Sequence, residues 1–415
     1  MTARYDAIVV GARCAGSPTA MLLARKGYRV LLVDRAGFPS DTLSCHFLHQ
    51  PGVASLDRWG LLPAVSQSTC PPIRSLVLDA GSFSVRGTPP PADGVADAYA
   101  MRRTVLDQIL VDAAAAAGAE VRERFTVQEL LTDGARVTGV RGRGTDGGTL
   151  TETARVVIGA DGRNSLVARQ VSAPTYHEHP SLTCAYYSYW SEVEMEDVEI
   201  YLRPGRMILT APTNNRQVFV IAYWPNSEFH RVRRDLEGNF TEVLGLAPDL
   251  AERIRGGVRS ERFRGTGALP NFYRRPYGPG WALVGDAGHH KDPITGLGMT
   301  DAFRDAESLA DALDAGFSGR EPLAHALAAY ERHRNAVTAE VYQTTLRFAR
   351  LRPPAPEMKL ILEALRDDPL EVGRLFGSVI GTVPSAEMFT SENVALIMLR
   401  ASLRQAAARQ ARASP

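Results

Sequence analysis

A chain of 415 residues is too long for one small core and suits interlocked domains with a tail. Its 47 Lys+Arg balance 46 Asp+Glu to a net charge of +1, which offers no basic surface and argues against nucleic acid as a partner. At 45% hydrophobic and 22% charged residues it has an ordinary globular composition, and no apolar run reaches the ~20 residues of a membrane helix.

The opening Met-Thr-Ala-Arg-Tyr-Asp has no apolar h-region and no small-residue cleavage site, so no secretory signal is read there. Cys14, Cys45, Cys70 and Cys184 are too scattered for a disulfide framework or a zinc site. A cytoplasmic protein with reduced thiols, no metal and no membrane anchor is expected.

In chain order, Tyr5 to Val10 reads as a buried parallel strand, Gly11 to Gly16 as a turn and Ser17 to Lys26 as a helix stopped by Gly27. Tyr28 to Val33 is a second strand ending at Asp34-Arg35. Arg102 to Ala117 reads as a helix with a stripe of Leu106, Ile109, Leu110, Ala113 and Ala117. Glu120 to Gly159 looks like a meander with turns at Asp133-Gly134 and Asp146-Gly147-Gly148, leading into Gly159-Ala160-Asp161-Gly162. From Thr175 to Leu269, aromatic and β-branched runs predict a mostly antiparallel β insert. Trp281 to Gly285 is a further buried strand tipped by Asp286, with a helix from about Gly298 to Leu313. The remainder from about residue 321 is helical by pattern. The end, Leu403 to Pro415, is rich in Ala, Arg and Gln and has the composition of a frayed terminus.

The strand, glycine turn and helix at Gly11-Ala12-Arg13-Cys14-Ala15-Gly16 fit a dinucleotide pyrophosphate. Such a group needs a tight turn, open backbone N–H groups and a helix N-terminus. Arg13 replaces the usual middle glycine, and its guanidinium is expected near the phosphates. Asp34, at the end of the second strand, is placed to accept ribose hydroxyls, and Arg35 lies over adenine or in solvent. These features alone suit NAD as well as FAD.

The stretch from Trp281 through Asp286, Pro293, Gly298 and Met299 separates the two. It resembles the group A flavoprotein monooxygenases, the para-hydroxybenzoate hydroxylase-like superfamily, which also holds flavin-dependent halogenases and geranylgeranyl reductases. The resemblance spans roughly residues 4 to 345. It implies FAD, with Asp286 on the ribityl chain and the backbone of Gly298 and Met299 at the flavin N1–C2=O edge. It further assigns Asp161 of Gly159-Ala-Asp-Gly to FAD binding and nicotinamide docking, and Arg103 (or Arg102) to a cofactor contact. Val127 matches a backbone contact to adenine.

The same resemblance implies an α/β fold with a Rossmann-like FAD domain, an inserted antiparallel β substrate domain and a helical C-terminal region. The expected boundaries are 1–70, 96–172 and 275–345 for FAD, 71–95 and 173–274 for substrate, and 346–415 for the helices. NAD(P)H is then a transient reductant. O2 reacts through a flavin C4a-hydroperoxide to hydroxylate or epoxidise an aromatic or polycyclic small molecule in a dry pocket. His46 is the candidate catalytic residue, and Tyr187, Tyr189 and Trp224 are candidates to line the substrate, with Tyr223 beside them. The alternative within the superfamily is a reductase or dehydrogenase of the geranylgeranyl reductase type. A halogenase fits less well: Trp-x-Trp-x-Ile-Pro is missing, and Arg74 to Gly81 holds no lysine. A non-catalytic flavin-binding module with the helical tail as a partner surface is the reading from another class.

Overall fold

Apolar, β-branched runs without polar alternation must be covered on both faces, and the first sheet is built from such runs. The computed structural model describes residues 4–413 except Asp146, with side chains as far as Arg404. Asp146 of the second expected turn, and residues 414–415 of the tail, lie outside the described residues.

Tyr5–Val10 lies between Val30–Val33 and Thr149–Gly159, all parallel, with Val9 opposite both Leu32 and Ile158. Trp281–Leu283 and Glu120–Arg122 extend this sheet in parallel on either side. Val9, Leu32, Ile158 and Ala282 face the helices Gly16–Arg25, Arg103–Ala116 and Gly298–Phe317. Ile8, Leu31, Val157 and Leu283 face the hairpin of Thr126–Asp133 and Arg136–Arg143 and the helix Leu166–Gln170. Each of these side chains is fully enclosed, worth roughly 1.5–3 kcal/mol apiece for the larger ones.

The helix expected from Arg102 runs Arg103–Ala116, but its buried face is not the expected stripe. It consists of Arg103, Leu106, Asp107, Leu110, Val111 and Ala114, with Ile109, Ala113 and Ala117 only half-buried. A count of apolar residues does not see two opposite charges that neutralise each other inside.

The second sheet runs in the order Val258–Arg259, Thr183–Ser191, Gln217–Pro225, Arg206–Thr213, Val198–Arg203, Leu76–Asp79, Ser84–Gly87, with Arg264–Thr266 beside Thr183–Ser191. It is antiparallel except where Val198–Arg203 meets Leu76–Asp79. Alternation sends Tyr187, Tyr189, Phe219, Ile221 and Tyr223 to one face, and Tyr186, Trp190, Val220 and Trp224 to the other.

Three helices that the β reading of this stretch overlooks cover that other face: Phe229–Arg234, Leu236–Leu244 and Pro248–Gly256. Their signals are local. The Asp235 carboxylate accepts the Gly238 N–H at 3.0 Å as an N-cap, and Pro248 opens its helix at the first turn. Beyond residue 321, Leu323–Phe348 is one long helix, and four more follow, ending with Ser391–Ala413. They place Leu365, Val372, Phe376, Met388 and Ile397 against the inner face of the second sheet. No helix among the described residues is long and apolar enough to cross a membrane.

Candidate functional site

The parallel strands deliver Val10, Val33, Gly159 and, through Gly285, Asp286 to one edge. A cavity of about 660 Å³ opens there and continues to the inner face of the second sheet. This is the crevice at the carboxyl ends of the strands where doubly wound sheets bind ligands.

The glycine turn is a cradle that side chains would fill. Gly11 has φ +105, and a Cβ on it would lie 2.4 Å from the Ala160 carbonyl oxygen; on Gly16 it would lie 1.7 Å from that of Gly11. The turn closes through the Gly11 N–H donating to Val33 O at 2.8 Å. The Ala12 and Ala36 N–H groups donate to the two Asp34 carboxylate oxygens at 2.7 and 2.8 Å. Asp34 thus braces the turn while facing the cavity, and exposed Arg35 stands beside it.

Arg13 and Arg103 both line the cavity and converge on Asp107, which the sequence reading did not single out. The Arg13 guanidinium donates to Asp107 Oδ2 at 2.6 Å and to Ser40 Oγ at 2.9 Å, and sits 5.3 Å from the Phe38 ring centre. Arg103 donates to both oxygens of the same carboxylate, at 2.8 and 3.0 Å, and the Cys14 thiol lies 3.4 Å from Oδ1. Burial pushes that thiol up, so Cys14 acts as a neutral filler. The Asp107 side chain is 0% exposed. Two arginines on one carboxylate leave a net positive charge facing the cavity, suited to a diphosphate. The adjacent Arg102 turns elsewhere: it pairs with Glu261 at 2.5 Å and lies 3.8 Å over the Tyr189 ring. Of the two candidates, Arg103 faces the cofactor cavity.

Val127, with Phe125 and Thr126, closes the end beside Asp34. Asp161 reaches the wall, but its oxygens are engaged with Ser165 Oγ at 2.5 Å and the Leu166 N–H at 2.6 Å, fixing the start of a short helix. At the opposite end Asp286 is the one exposed residue in the buried run from Trp281 to Asp292. Gly298 is also exposed, and beyond its chain neighbours and its own helix backbone no described atom lies within 4 Å of where its Cβ would project. Gly298 and Met299 begin a 20-residue helix whose N–H groups and dipole favour negative charge. The loop between is anchored by Asp292, which accepts the Thr183 hydroxyl at 2.6 Å and whose pKa burial pushes up to about 6.

The substrate candidates divide. Tyr187 lines the cavity together with Ala185, Ile221 and Leu269. Tyr189, two residues along on the same face, is fully buried and does not line the cavity; its hydroxyl lies 2.5 Å from His46 Nε2. His46, expected to be catalytic, is 0% exposed and outside the cavity wall. Burial, then Arg103 and Arg102, hold its pKa well below the usual histidine range. Trp224, expected at the substrate, is a correction. It sits on the outward face of its strand against Phe240, because strand alternation gives the inner face to Tyr223.

A parallel nucleotide-binding sheet, a glycine cradle with paired arginines and a helix N-terminus at the far end define a flavoprotein oxidoreductase. The chain belongs to the family described as FAD binding domain, which matches residues 4–345, and its cofactor is FAD. A digeranylgeranylglycerophospholipid reductase of Methanopyrus kandleri is 30% identical over 313 residues, covering 71% of this chain and 73% of that protein. A kynurenine 3-monooxygenase of Salinispora arenicola is 30% identical over 376 residues, covering 81% and 77%. The myxobacterial chondrochloren halogenase CndH superposes with a TM-score of 0.77 over 95% of this chain and 97% of its own, at 22% identity, a likeness of fold.

Proposed function

We propose that this protein is an NAD(P)H-dependent FAD monooxygenase acting on a neutral aromatic or polycyclic small molecule. One observation carries the substrate class. The cavity-lining arginines, Arg13, Arg35, Arg103, Arg163 and Arg169, all come from cofactor-side segments, whereas Ala185, Tyr187, Ile221 and Leu269 of the inserted region are uncharged. Nearby Arg264 is already paired with Asp41 at 2.9 Å. Lys291, also in the wall, is already paired with Asp301, so a substrate carboxylate would lose its water without gaining an unpaired cation.

When bound, FAD supplies two-electron reduction by the nicotinamide and the activation of O2. The chain's own part is to hold the cofactor between the glycine cradle and the Gly298 helix start. It also excludes water with Leu269, Ile221 and Tyr187, and presents the substrate on that wall. Kinship with a kynurenine 3-monooxygenase supports oxygen chemistry. Kinship with a digeranylgeranylglycerophospholipid reductase supports the second reading, saturation of an isoprenoid by hydride, which the same apolar wall accommodates.

Oxygen uptake by the FAD-loaded protein with NADH or NADPH tests the proposal, using naphthols, naphthoquinones and indoles against 4-hydroxybenzoate and kynurenine. Product-coupled uptake with the neutral compounds is expected. Turnover of the carboxylates alone, or none with any compound, contradicts it.

A further inference from the structure

A buried lysine beside the cavity has no part in holding the cofactor's phosphates or ribityl chain. The Lys291 side chain is only 4% exposed, and its ammonium forms an ion pair with Asp301, in the first turn of the helix that starts at Gly298. Asp301 Oδ1 also accepts Arg304 at 2.7 Å, and Arg304 approaches Asp305 at 3.7 Å. Asp305 Oδ2, Thr300 Oγ1 and Arg304 Nε, all buried, have no hydrogen-bond partner among the described residues. Lys291 nevertheless belongs to the cavity wall, alongside Asp286, Met299 and Ala302. It thus lies at the end of the cavity where the isoalloxazine is expected, beneath the helix N-terminus.

Burying an ammonium is unfavourable even when it is paired, and a leucine or methionine would fill the same space without that penalty. Here burial and Arg304 draw the ammonium down to about 7, against the pull of Asp305 and Asp286. A group held at such cost beside a redox cofactor has an evident electrostatic use. Two-electron reduction places negative charge on the N1–C2=O side of the flavin, and a cation in a low-dielectric wall stabilises that form over the oxidised one.

We propose that Lys291, with Asp301 as its counter-ion, is the charge through which this chain sets the reduction potential of its FAD. The inference rests on FAD binding and on no particular substrate. Its two partners act with opposite sign: the ammonium favours the reduced flavin, and the carboxylate that shields it opposes this. A pair that merely pins the helix start would, when broken from either side, disturb the site in the same direction.

The test is the flavin midpoint potential of the purified FAD-loaded protein at pH 6, by anaerobic reduction against a reference dye, together with titration by sulfite. Sulfite adds to the flavin and leaves it anionic, so its affinity reads the same stabilisation without turnover. Lys291→Met is expected to weaken sulfite binding about tenfold and lower the potential by about 30 mV, the two-electron equivalent of tenfold. Asp301→Asn is expected to shift both the other way, and Lys291→Arg to stay near the parent. Shifts in the same direction for the two variants, or none in either, overturn the proposal. If Lys291→Met does not retain FAD, Lys291→Gln takes its place. Because losing Asp301 also draws the ammonium further below about 7, Asp301→Asn is measured at pH 5 as well, and a potential that fails to rise there is by itself decisive against it.

Discussion

The Tyr189 hydroxyl lies 2.5 Å from His46 Nε2, and the imidazole, packed against Tyr187, Tyr189 and Phe219, does not line the cofactor cavity. Burial, with Arg103 and Arg102, keeps the His46 ring neutral. A histidine so placed is a packing element that satisfies a buried phenol, a poor general base.

His46→Asn should therefore lower stability, by about 1–3 kcal/mol for the orphaned Tyr189 hydroxyl. The pH dependence of kcat/KM should keep both limbs of the parent. Loss of a limb near neutrality would return His46 to catalysis.

Asp107 gathers Arg13, Arg103 and Cys14 on one carboxylate. Asp107→Asn removes a negative charge beside an anionic cofactor, so charge alone predicts tighter FAD. Geometry predicts the reverse, because both guanidinium groups lose the acceptor that orients them. FAD affinity should fall about tenfold or more, measured by quenching of flavin fluorescence; equal or tighter binding would refute the positioning role.

Two glycines separate fold from cofactor. Gly16→Ala forces a Cβ to 1.7 Å from the Gly11 carbonyl oxygen. It should destabilise the apoprotein by about 3 kcal/mol or more. Gly298→Ala meets no described atom within 4 Å beyond its chain neighbours and its own helix backbone. Its apoprotein should melt like the parent, while FAD affinity drops wherever the backbone must approach the flavin closely. Calorimetry of both apoproteins with a parallel FAD titration checks the pair.

His46, His49, His289 and His290 are buried, and burial lowers the pKa of each. His49 is drawn to about 4 from 6.5. In the unfolded chain these rings take up protons near pH 6.5, whereas in the folded chain they resist until far lower. Folding stability is then full above 6.5 and declines as the pH falls toward 4, by about 3 kcal/mol at most for His49 alone. Asp292, raised to about 6, has the opposite sign: its contribution is present below its ordinary 3.8 and fades as the pH rises through 6. Burial raises Asp161, Asp197 and Asp305 in the same sense as Asp292. Hydrogen bonds and arginines lower Glu120, Glu228, Glu237 and Asp314, which act with the four imidazoles, so Tm should drop between pH 6.5 and 4.5. A flat profile would contradict these burials.

The parts of this molecule legible in its sequence are those where one local rule acts alone. Tyr5–Val10, the glycine turn and Asp34 announce themselves by apolar continuity and spacing, and their neighbours in space are their neighbours in the chain. Asp286, Gly298 and Met299 stand out only through resemblance, since nothing in their spacing shows that they line the same cavity as Gly11. Asp107 was missed because an acidic residue on a helix reads as solvent-exposed until Arg13, 94 positions away, is seen to meet it. Trp224 was misassigned because the choice of inner face depends on the helices at Phe229–Gly256, which the aromatic texture of the region masked.

The most direct test is the fate of molecular oxygen. The FAD-loaded protein is supplied with NAD(P)H, a neutral aromatic substrate that perturbs the flavin spectrum, and isotopically heavy O2, and the product is weighed by mass spectrometry. Incorporation of a single heavy oxygen atom is the expected result. A product heavier only by hydrogen, formed equally well without oxygen, would contradict the monooxygenase reading and establish the reductase instead.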